Sequence, residues 1–290
     1  MNTVEYIKKL KKFEPIYVIG HSNIDIDSAI SSKILSEIFN FFNIKSYYAI
    51  LDKKYRFDKY NKKMLDACSN FEPKIITFND ITKHNYFLVD HNDFLQSVGK
   101  GVNVVGCIDH HPNSKKIKNA IITDCCATSL YLYELFKNIY KFTDEQKKQI
   151  FMAFLNDSTF GKSSRYKQSD KKLIEELGFS TDYEELFQKY FIPTDLTNGI
   201  TDAIYNGHKK YQFGNTYFES GYIETFGTDG LKEYEKTVKN LKNFLGIWID
   251  YEELITYVFF SYNDTFKKWK YNFVASRATT ILNDVLLIVN

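Results

Sequence analysis

Residues that break or cross-link a chain are scarce in this sequence. Its 290 residues include four prolines, thirteen glycines and four cysteines, and no two cysteines form a Cys-x-x-Cys pair. Adjacent cysteines such as Cys125 and Cys126 seldom bridge each other, so we expect reduced, mostly buried thiols. With 44% hydrophobic and 26% charged residues, the composition predicts a globular chain that is long enough for two ordinary domains.

Two further absences limit the location and the partners that we expect. No apolar run approaches the roughly 20 residues that span a bilayer. The charged, amphipathic segment 1–14 lacks the apolar core of a secretory signal. The formal net charge of +2 is too small for a surface that coats a polyanion. We therefore expect a cytoplasmic protein that binds neither a membrane nor a nucleic-acid polymer.

Apolar runs alternate with helical patterns over about the first 140 residues. Runs such as 15–20 and 86–89 are continuous in apolar residues, as buried parallel strands are. The predicted strands are 15–20, 46–51, 75–78, 86–89, 102–108 and 120–123, and the predicted helices are 29–41, 60–67 and 127–139. This alternation predicts an α/β fold with a parallel sheet.

From Thr143 onward the pattern becomes helical. Thr143 and Gln146 form a predicted capping box, and further helices are predicted at 169–177 and 183–190. Because Pro193 interrupts the helical run, we predict one domain at 1–190 and a second at 195–290. The second domain is predicted as helix 196–211, strand 216–225, a helix, strand 254–261 and a final helix. One face of its middle helix is predicted to carry Leu231, Tyr234, Val238, Leu241 and Leu245.

Acids and histidines cluster where several of these predicted elements begin or end. They are His21, Asp25 and Asp27 after strand 15–20, Asp90 after strand 86–89, Asp109, His110 and His111 at the end of strand 102–108, and Asp157 late in the helix that follows Thr143. The carboxyl ends of parallel strands share the sheet edge where open α/β folds bind ligands. A helix cap would explain only one of the acids near residue 25. The sequence therefore predicts a metal site at this edge.

The types of these side chains indicate which metal they would bind. Carboxylates with imidazoles, and no thiolate, favour Mn²⁺, Mg²⁺ or Co²⁺ over a structural zinc. So many acids would repel one another without cations. We expect two divalent ions, roughly 3.5 to 4 Å apart.

The order of these segments resembles the DHH phosphoesterase family, and within it the manganese-dependent family II inorganic pyrophosphatases. The segments are His21-x-x-x-Asp25-x-Asp27-Ser28, Leu88-Val89-Asp90-His91-Asn92, Ile108-Asp109-His110-His111 and Leu155-x-Asp157-Ser158. The resemblance covers about residues 15–190 and, more weakly, 195–290. It implies a Rossmann-like DHH catalytic domain with a parallel sheet and a smaller α/β C-terminal domain that binds substrate.

The resemblance also implies roles for these residues. One metal would be held by His21, Asp25 and Asp90, and the other by Asp27, Asp90, His110 and Asp157, with Asp90 bridging. His111 would contact the substrate or donate a proton to the leaving group, and Asp109 would orient a histidine ligand. The implied reaction converts diphosphate and water to two phosphates through a hydroxide shared by the metals. For His91, a packed, hydrogen-bonded histidine is as good an interpretation as any functional one.

A second phosphoryl group of the substrate requires positive charge from the protein. The candidate residues are Lys162, Arg165, His208, Lys209 and Arg277. Lys209 and Arg277 stand out because His208-Lys209-Lys210-Tyr211 and Ser276-Arg277 resemble the family's phosphate-binding positions. The chain departs from that pattern at Ala278, where pyrophosphatases have lysine, and at Ile24, where the family usually has proline.

Several functions stay open at this point. A pyrophosphatase acting on a small phosphorylated substrate is the first hypothesis, with a homodimer as one possible assembly. The alternatives are an exopolyphosphatase, a DHH phosphodiesterase on short oligonucleotides or cyclic dinucleotides, and a non-catalytic relative. Phosphodiesterases of the family usually carry a Gly-Gly-His segment, whereas Asn206-Gly207-His208 falls in a predicted helix here, which favours the pyrophosphatase.

Overall fold

The computed structural model describes residues 3–52, 56–57, 59–112, 117–213 and 215–289. The chain divides into two compact units. The first unit comprises Met1–Gly161 and Tyr166–Tyr190, and the second comprises Lys162–Arg165 and Phe191–Asn290. None of the helices in the described ranges has the length and apolar character that crossing a membrane requires.

The first unit contains a six-stranded sheet in which every neighbouring pair is parallel. Its strand order is β5-β3-β1-β6-β7-β8, and two short strands, β2 and β4, pair separately. The strands are β1 (Ile16–Ile19), β2 (Asn23–Ile24), β3 (Ser46–Leu51), β4 (Arg56–Phe57), β5 (Lys74–Ile76), β6 (Asn85–Val89), β7 (Asn103–Asp109) and β8 (Ala120–Ile122). All four residues of β1 are buried, as the apolar run predicted. The parallel α/β fold is confirmed.

Seven α-helices are described in the first unit. They are α1 (Thr3–Leu10), α2 (Ile26–Phe41), α3 (Lys59–Asp66), α4 (Thr128–Phe136), α5 (Asp144–Asp157), α6 (Gln168–Leu177) and α7 (Glu184–Tyr190). Helix α2 packs against both α4 and α5. The capping box of α5 is confirmed, because the Gln146 amide donates to Thr143 Oγ1 (3.1 Å) and the Thr143 amide donates to Gln146 Oε1 (2.9 Å). These contacts fix the beginning of the helix that ends at Asp157.

The second unit contains a five-stranded mixed sheet in the order β13-β12-β11-β10-β9. Strands β10 and β11 are parallel and the other neighbours are antiparallel. The strands are β9 (Lys209–Phe213), β10 (Thr216–Thr225), β11 (Phe244–Asp250), β12 (Ile255–Tyr262) and β13 (Thr265–Tyr271). The helices are α8 (Ile200–Ala203), α9 (Leu231–Asn240) and α10 (Leu282–Val289), with a π-helical segment at Arg277–Ile281. Tyr234, Val238 and Trp248 are fully buried in its core.

The prediction of a helix at 196–211 is wrong. Only Ile200–Ala203 is α-helical, and Lys209–Phe213 is a strand whose side chains alternate between half-buried and exposed. Strands β11 and β13 were not predicted. Leu245 was assigned to a helix face but lies in β11, where all seven residues are buried. An apolar run that is buried on both faces has no period, so its fit to a helical spacing was fortuitous.

Candidate metal centre

The predicted ligands follow the carboxyl ends of three neighbouring strands. His21 lies just after β1, Asp90 directly follows β6, and His110 directly follows β7. The three strands are adjacent in the sheet, in the order β1-β6-β7. Asp25 is the N-cap of α2, where its Oδ1 accepts a hydrogen bond from the Ser28 amide (2.8 Å). The topology of the parallel sheet therefore brings residues from distant parts of the sequence to one edge.

A first group of ligand atoms comes from His21, Asp25 and Asp90. The Nε2 atom of His21 lies 3.0 Å from Asp25 Oδ2 and 3.2 Å from Asp90 Oδ2. One ligand atom from each residue lies within 4.8 Å of the others. Behind them, the His21 amide donates to Ser28 Oγ (3.0 Å), which ties the end of β1 to the beginning of α2.

A second group comprises Asp27, Asp90, His110 and Asp157, and its ligand atoms also lie within 4.8 Å of one another. The Nε2 atom of His110 lies 3.0 Å from Asp90 Oδ1 and 3.3 Å from Asp157 Oδ2. Asp90 therefore belongs to both groups, since its Oδ2 faces His21 and its Oδ1 faces His110. These are the two groups implied by the resemblance, gathered in one place.

Asp90 is held in an unusual conformation. Its φ of 59° lies in the left-handed region, which is uncommon for residues other than glycine, although aspartate tolerates it better than most. The Asp90 amide donates to the Ile108 carbonyl (3.1 Å), which joins the ends of β6 and β7. Backbone strain of this kind is frequent at functional sites.

The buried carboxylates fit a cation. Among the described residues, no lysine or arginine pairs with Asp27 or Asp90, although both are almost fully buried. The buried Oδ2 of Asp90 has no aligned hydrogen-bond donor within the described part of the chain. A buried carboxylate without a cation is unfavourable. The donor set, four carboxylates and two imidazoles, therefore suits divalent ions.

The ionisation of these groups reflects the same imbalance of charge. Burial raises the pKa of Asp27 to about 7 and that of Asp90 to about 6, and a neighbouring carboxylate adds to each shift. Burial lowers the pKa of His21, but the charges of Asp25 and Asp90 outweigh this effect and raise it to about 10. The protein by itself thus retains protons in this centre, and a divalent cation would compete with them.

Residues 15–156 match the model of the DHH family, N-terminal domain. This part of the chain belongs to the DHH family. It contains every residue of the two ligand groups except Asp157, which lies one position beyond the match. We refer to it below as the DHH domain.

The curated relatives match only part of the chain. A Staphylococcus carnosus protein named "Probable manganese-dependent inorganic pyrophosphatase" is 28% identical over 176 residues, which are 57% of this chain and 54% of the relative. The chain thus spans about half the length of the curated relatives that it matches.

Two solved structures share the fold. A Methanococcus jannaschii protein, provisionally described as a family II inorganic pyrophosphatase, has a TM-score of 0.74 at 17% identity, and the match covers 92% of this chain and 97% of that one. An exopolyphosphatase-related protein from Bacteroides fragilis has a TM-score of 0.50 at 18% identity, with 88% of this chain and 82% of that one covered. At these identities the likeness shows the fold alone.

Asp109 and His111 form a hydrogen-bonded pair in the DHH domain. Asp109 Oδ1 accepts hydrogen bonds from His111 Nδ1 (2.9 Å) and from the His111 amide (3.0 Å). Asp109 Oδ2 accepts a hydrogen bond from Asn92 Nδ2 (2.5 Å). The carboxylate therefore orients His111, the histidine that was expected to face the substrate. This contact favours the tautomer with its proton on Nδ1.

His91 is a packed histidine. It is 1% exposed, its Nδ1 lies 2.9 Å from the Val89 carbonyl and its Nε2 lies 2.6 Å from Ser97 Oγ. These contacts give His91 a structural role, because they join the end of β6 to the loop that follows it.

No local sequence pattern indicates the contacts that hold Asp27. Its Oδ2 accepts a hydrogen bond from the Thr128 amide (2.7 Å) and its Oδ1 accepts one from the Ser129 amide (2.9 Å). These are the first two amides of α4, and the N-cap residue, Ala127, has no side-chain oxygen that could cap them. Asp27 therefore caps a helix 101 residues away. Asn92 was likewise missed, because nothing local to either residue indicates a long-range contact.

The candidate substrate cations all belong to the second unit. Arg277 Nη1 donates to the Gly207 carbonyl (2.7 Å), and its guanidinium lies 5.1 Å from the centre of the Tyr222 ring. His208 Nε2 lies 3.1 Å from Glu219 Oε2. Lys209 is the first residue of β9 and is half-buried. Contact of these residues, or of Lys162 and Arg165, with substrate stays a prediction.

Proposed function

We propose that this chain is a metal-dependent hydrolase of phosphoanhydrides and, most simply, an inorganic pyrophosphatase. The observation that carries the proposal is the pair of overlapping ligand groups in the first unit, which share Asp90. The names of the Staphylococcus relatives support the choice of substrate. A small phosphorylated substrate, a cytoplasmic location and a homodimer are parts of the same proposal.

Two divalent ions would complete the centre, with Mn²⁺ preferred and Mg²⁺ or Co²⁺ as alternatives. His21, Asp25 and Asp90 would hold one of them. The other would be held by Asp27, Asp90, His110 and Asp157. When bound, the ions supply positive charge for phosphoryl oxygens and make hydroxide available near neutral pH.

His111 would act on the substrate directly. With Nδ1 held by Asp109 at 2.9 Å, the ring presents its Nε2 edge for a phosphoryl oxygen or for the leaving group. The side chain of His111 is 22% exposed to solvent, in contrast to the buried His21 and His110. A proton on Nε2 would pass to the leaving phosphate, and the negative charge of Asp109 would stabilise the protonated ring before that transfer.

Lys162, Lys209 and Arg277 would supply positive charge for the second phosphoryl group. A charge-assisted hydrogen bond to phosphate contributes about 1.5 to 3 kcal/mol. Ala278 offers no such contact where family pyrophosphatases have lysine. Binding of pyrophosphate is therefore expected to depend strongly on the cations that are present.

A phosphodiesterase is the second candidate, and one observation favours it. Asn206-Gly207-His208 lies in a turn that leads into β9, so the helical context that counted against this activity does not exist. His208 is half-buried and could contact a phosphate from such a turn.

One assay separates the candidates. Metal-depleted protein is supplied with Mn²⁺, and phosphate and nucleotide release are measured from pyrophosphate, tripolyphosphate and a dinucleotide side by side. We expect the fastest turnover with pyrophosphate and none in the presence of a chelator. Turnover of the dinucleotide alone would overturn the proposal in favour of the phosphodiesterase, and turnover of tripolyphosphate alone would favour an exopolyphosphatase.

A further inference from the structure

Thr128, the first residue of α4, contacts two of the candidate ligands at once. Its amide donates to Asp27 Oδ2 (2.7 Å) and its hydroxyl donates to Asp90 Oδ1 (3.3 Å). Thr128 is fully buried. Asp27 lies at the beginning of α2 and Asp90 follows β6, so this residue joins carboxylates that come from different elements.

We propose that Thr128 is a positioning residue of the metal centre, which holds Asp27 and Asp90 in the arrangement that binds cations. The inference rests on the proposed function, since it requires that these carboxylates bind divalent ions. Thr128 would act through the two aspartates and would not touch substrate.

The hydroxyl matters because Asp90 has to serve both ligand groups. Asp90 Oδ1 faces His110 Nε2 at 3.0 Å and Asp90 Oδ2 faces His21 Nε2 at 3.2 Å. Rotation of the carboxylate would misplace both oxygens together. A hydrogen bond from the Thr128 hydroxyl to Asp90 Oδ1 restrains that rotation. The restraint comes from α4, a helix that contains neither histidine. Removal of outer hydrogen bonds of this kind typically weakens metal binding 10- to 100-fold.

The amide contact serves Asp27 in the same way. Both of its oxygens accept hydrogen bonds from the N-terminal amides of α4, so the orientation of the carboxylate is fixed by the backbone. The positive end of the helix dipole also favours the charged carboxylate, which burial disfavours. Because a side-chain substitution leaves these amides in place, the hydroxyl can be tested separately.

A structural role alone makes a different prediction. Thr128 begins a helix in a buried position, and a residue of its size and shape would fill that space without a hydroxyl. If packing were its only task, Thr128→Val would bind metal as the natural chain does. If the hydroxyl positions Asp90, metal binding must follow the hydroxyl and not the side-chain volume.

The experiment titrates Mn²⁺ into metal-depleted, full-length protein by calorimetry and compares two matched pairs. The natural chain and Thr128→Val differ in a hydroxyl against a methyl group, and Thr128→Ser and Thr128→Ala differ in the hydroxyl alone. We expect both hydroxyl-free variants to bind Mn²⁺ 10- to 100-fold more weakly than their partners. The second pair keeps the test decisive should Thr128→Val fail to fold, which circular dichroism would reveal.

Thr256→Val is the control for stability. Thr256 is fully buried in the second unit, and its Oγ1 contacts the Phe273 carbonyl and the Ala275 amide. This variant also loses a buried, hydrogen-bonded hydroxyl, but residue 256 is distant in sequence from every candidate metal ligand. Its Mn²⁺ affinity should therefore not change. Equal affinities within both Thr128 pairs would overturn the inference. Absence of Mn²⁺ binding by the natural chain would instead overturn the proposed function.

Discussion

The charged side chains of the two units have different partners. In the first unit, acids and histidines crowd within 4.8 Å of one another, and within the described ranges no lysine or arginine pairs with Asp27 or Asp90. In the second unit, two of the candidate substrate residues have partners within the unit itself, since His208 Nε2 faces Glu219 and Arg277 donates to the Gly207 carbonyl. The acidic excess is confined to the candidate metal centre, where carboxylates gather without lysine or arginine partners for Asp27 and Asp90 in the described residues, and a cation would neutralise it.

The sheets explain this difference. The parallel sheet of the first unit sends the ends of β1, β6 and β7 to one edge, and each end is followed by a ligand residue. The mixed sheet of the second unit has antiparallel neighbours, whose ends alternate between edges. Substitutions of the candidate ligands in the first unit should therefore remove activity, whereas those of the candidate cations in the second unit should weaken substrate binding.

The largest effect is expected from Asp90→Asn. The change removes the negative charge that both ligand groups share, so we expect loss of at least one Mn²⁺ ion in calorimetry. Phosphate release from pyrophosphate should fall about 1000-fold or more, because metal ions supply several kcal/mol of transition-state stabilisation. Asp229→Asn is the matched control, since Asp229 is exposed in the second unit. Substantial activity in Asp90→Asn at saturating Mn²⁺ would contradict the comparison.

A smaller loss is expected from Asp109→Asn. The amide cannot reproduce a carboxylate that accepts hydrogen bonds from His111 Nδ1, the His111 amide and Asn92. Loss of an oriented proton donor typically lowers a rate at least 100-fold, so kcat should fall by about that factor while KM changes little. Calorimetry should still detect Mn²⁺ binding. A variant that loses its metal would show that Asp109 supports the ligands and not His111.

The sequence predicted the first unit far better than the second. Its strands are short apolar runs followed by acids or histidines, and parallel topology brings those ends together, so a metal site at this edge could be predicted from the sequence. The division of the ligands into two groups came from the family resemblance. The contacts that could not be predicted join residues that are far apart in the sequence. Asp27 binds the amides of α4 and Asn92 binds Asp109, and no local pattern encodes either contact. In the second unit, Lys209–Phe213 became a strand because β10 was available to pair with it, which a helical spacing could not reveal.

Arg277→Met tests the second unit. Arg277 is half-buried, with its guanidinium over the Tyr222 ring. A charge-assisted contact to phosphate is worth about 1.5 to 3 kcal/mol, but solvent screening reduces this for a partly exposed group. We expect KM for pyrophosphate to rise about tenfold with Mn²⁺ affinity unchanged. Lys270→Met, an exposed position in β13, controls for the loss of one charge. An unchanged KM would remove Arg277 from the substrate contacts.

Thr143→Ala should have the smallest effect, and it separates the stability of the first unit from its metal binding. Helix α5 begins at the Thr143 cap and ends at Asp157, so one helix joins a purely structural residue to a candidate ligand. Loss of the capping hydroxyl should lower the free energy of unfolding by about 1 kcal/mol in urea titrations, and Thr143→Ser should restore most of it. Mn²⁺ affinity should stay the same, because the packing of α5 on α2 holds the far end of the helix. A loss of Mn²⁺ affinity in Thr143→Ala would mean that the metal centre depends on the stability of α5 as a whole. Metal binding and helix stability would then not be separable in the first unit.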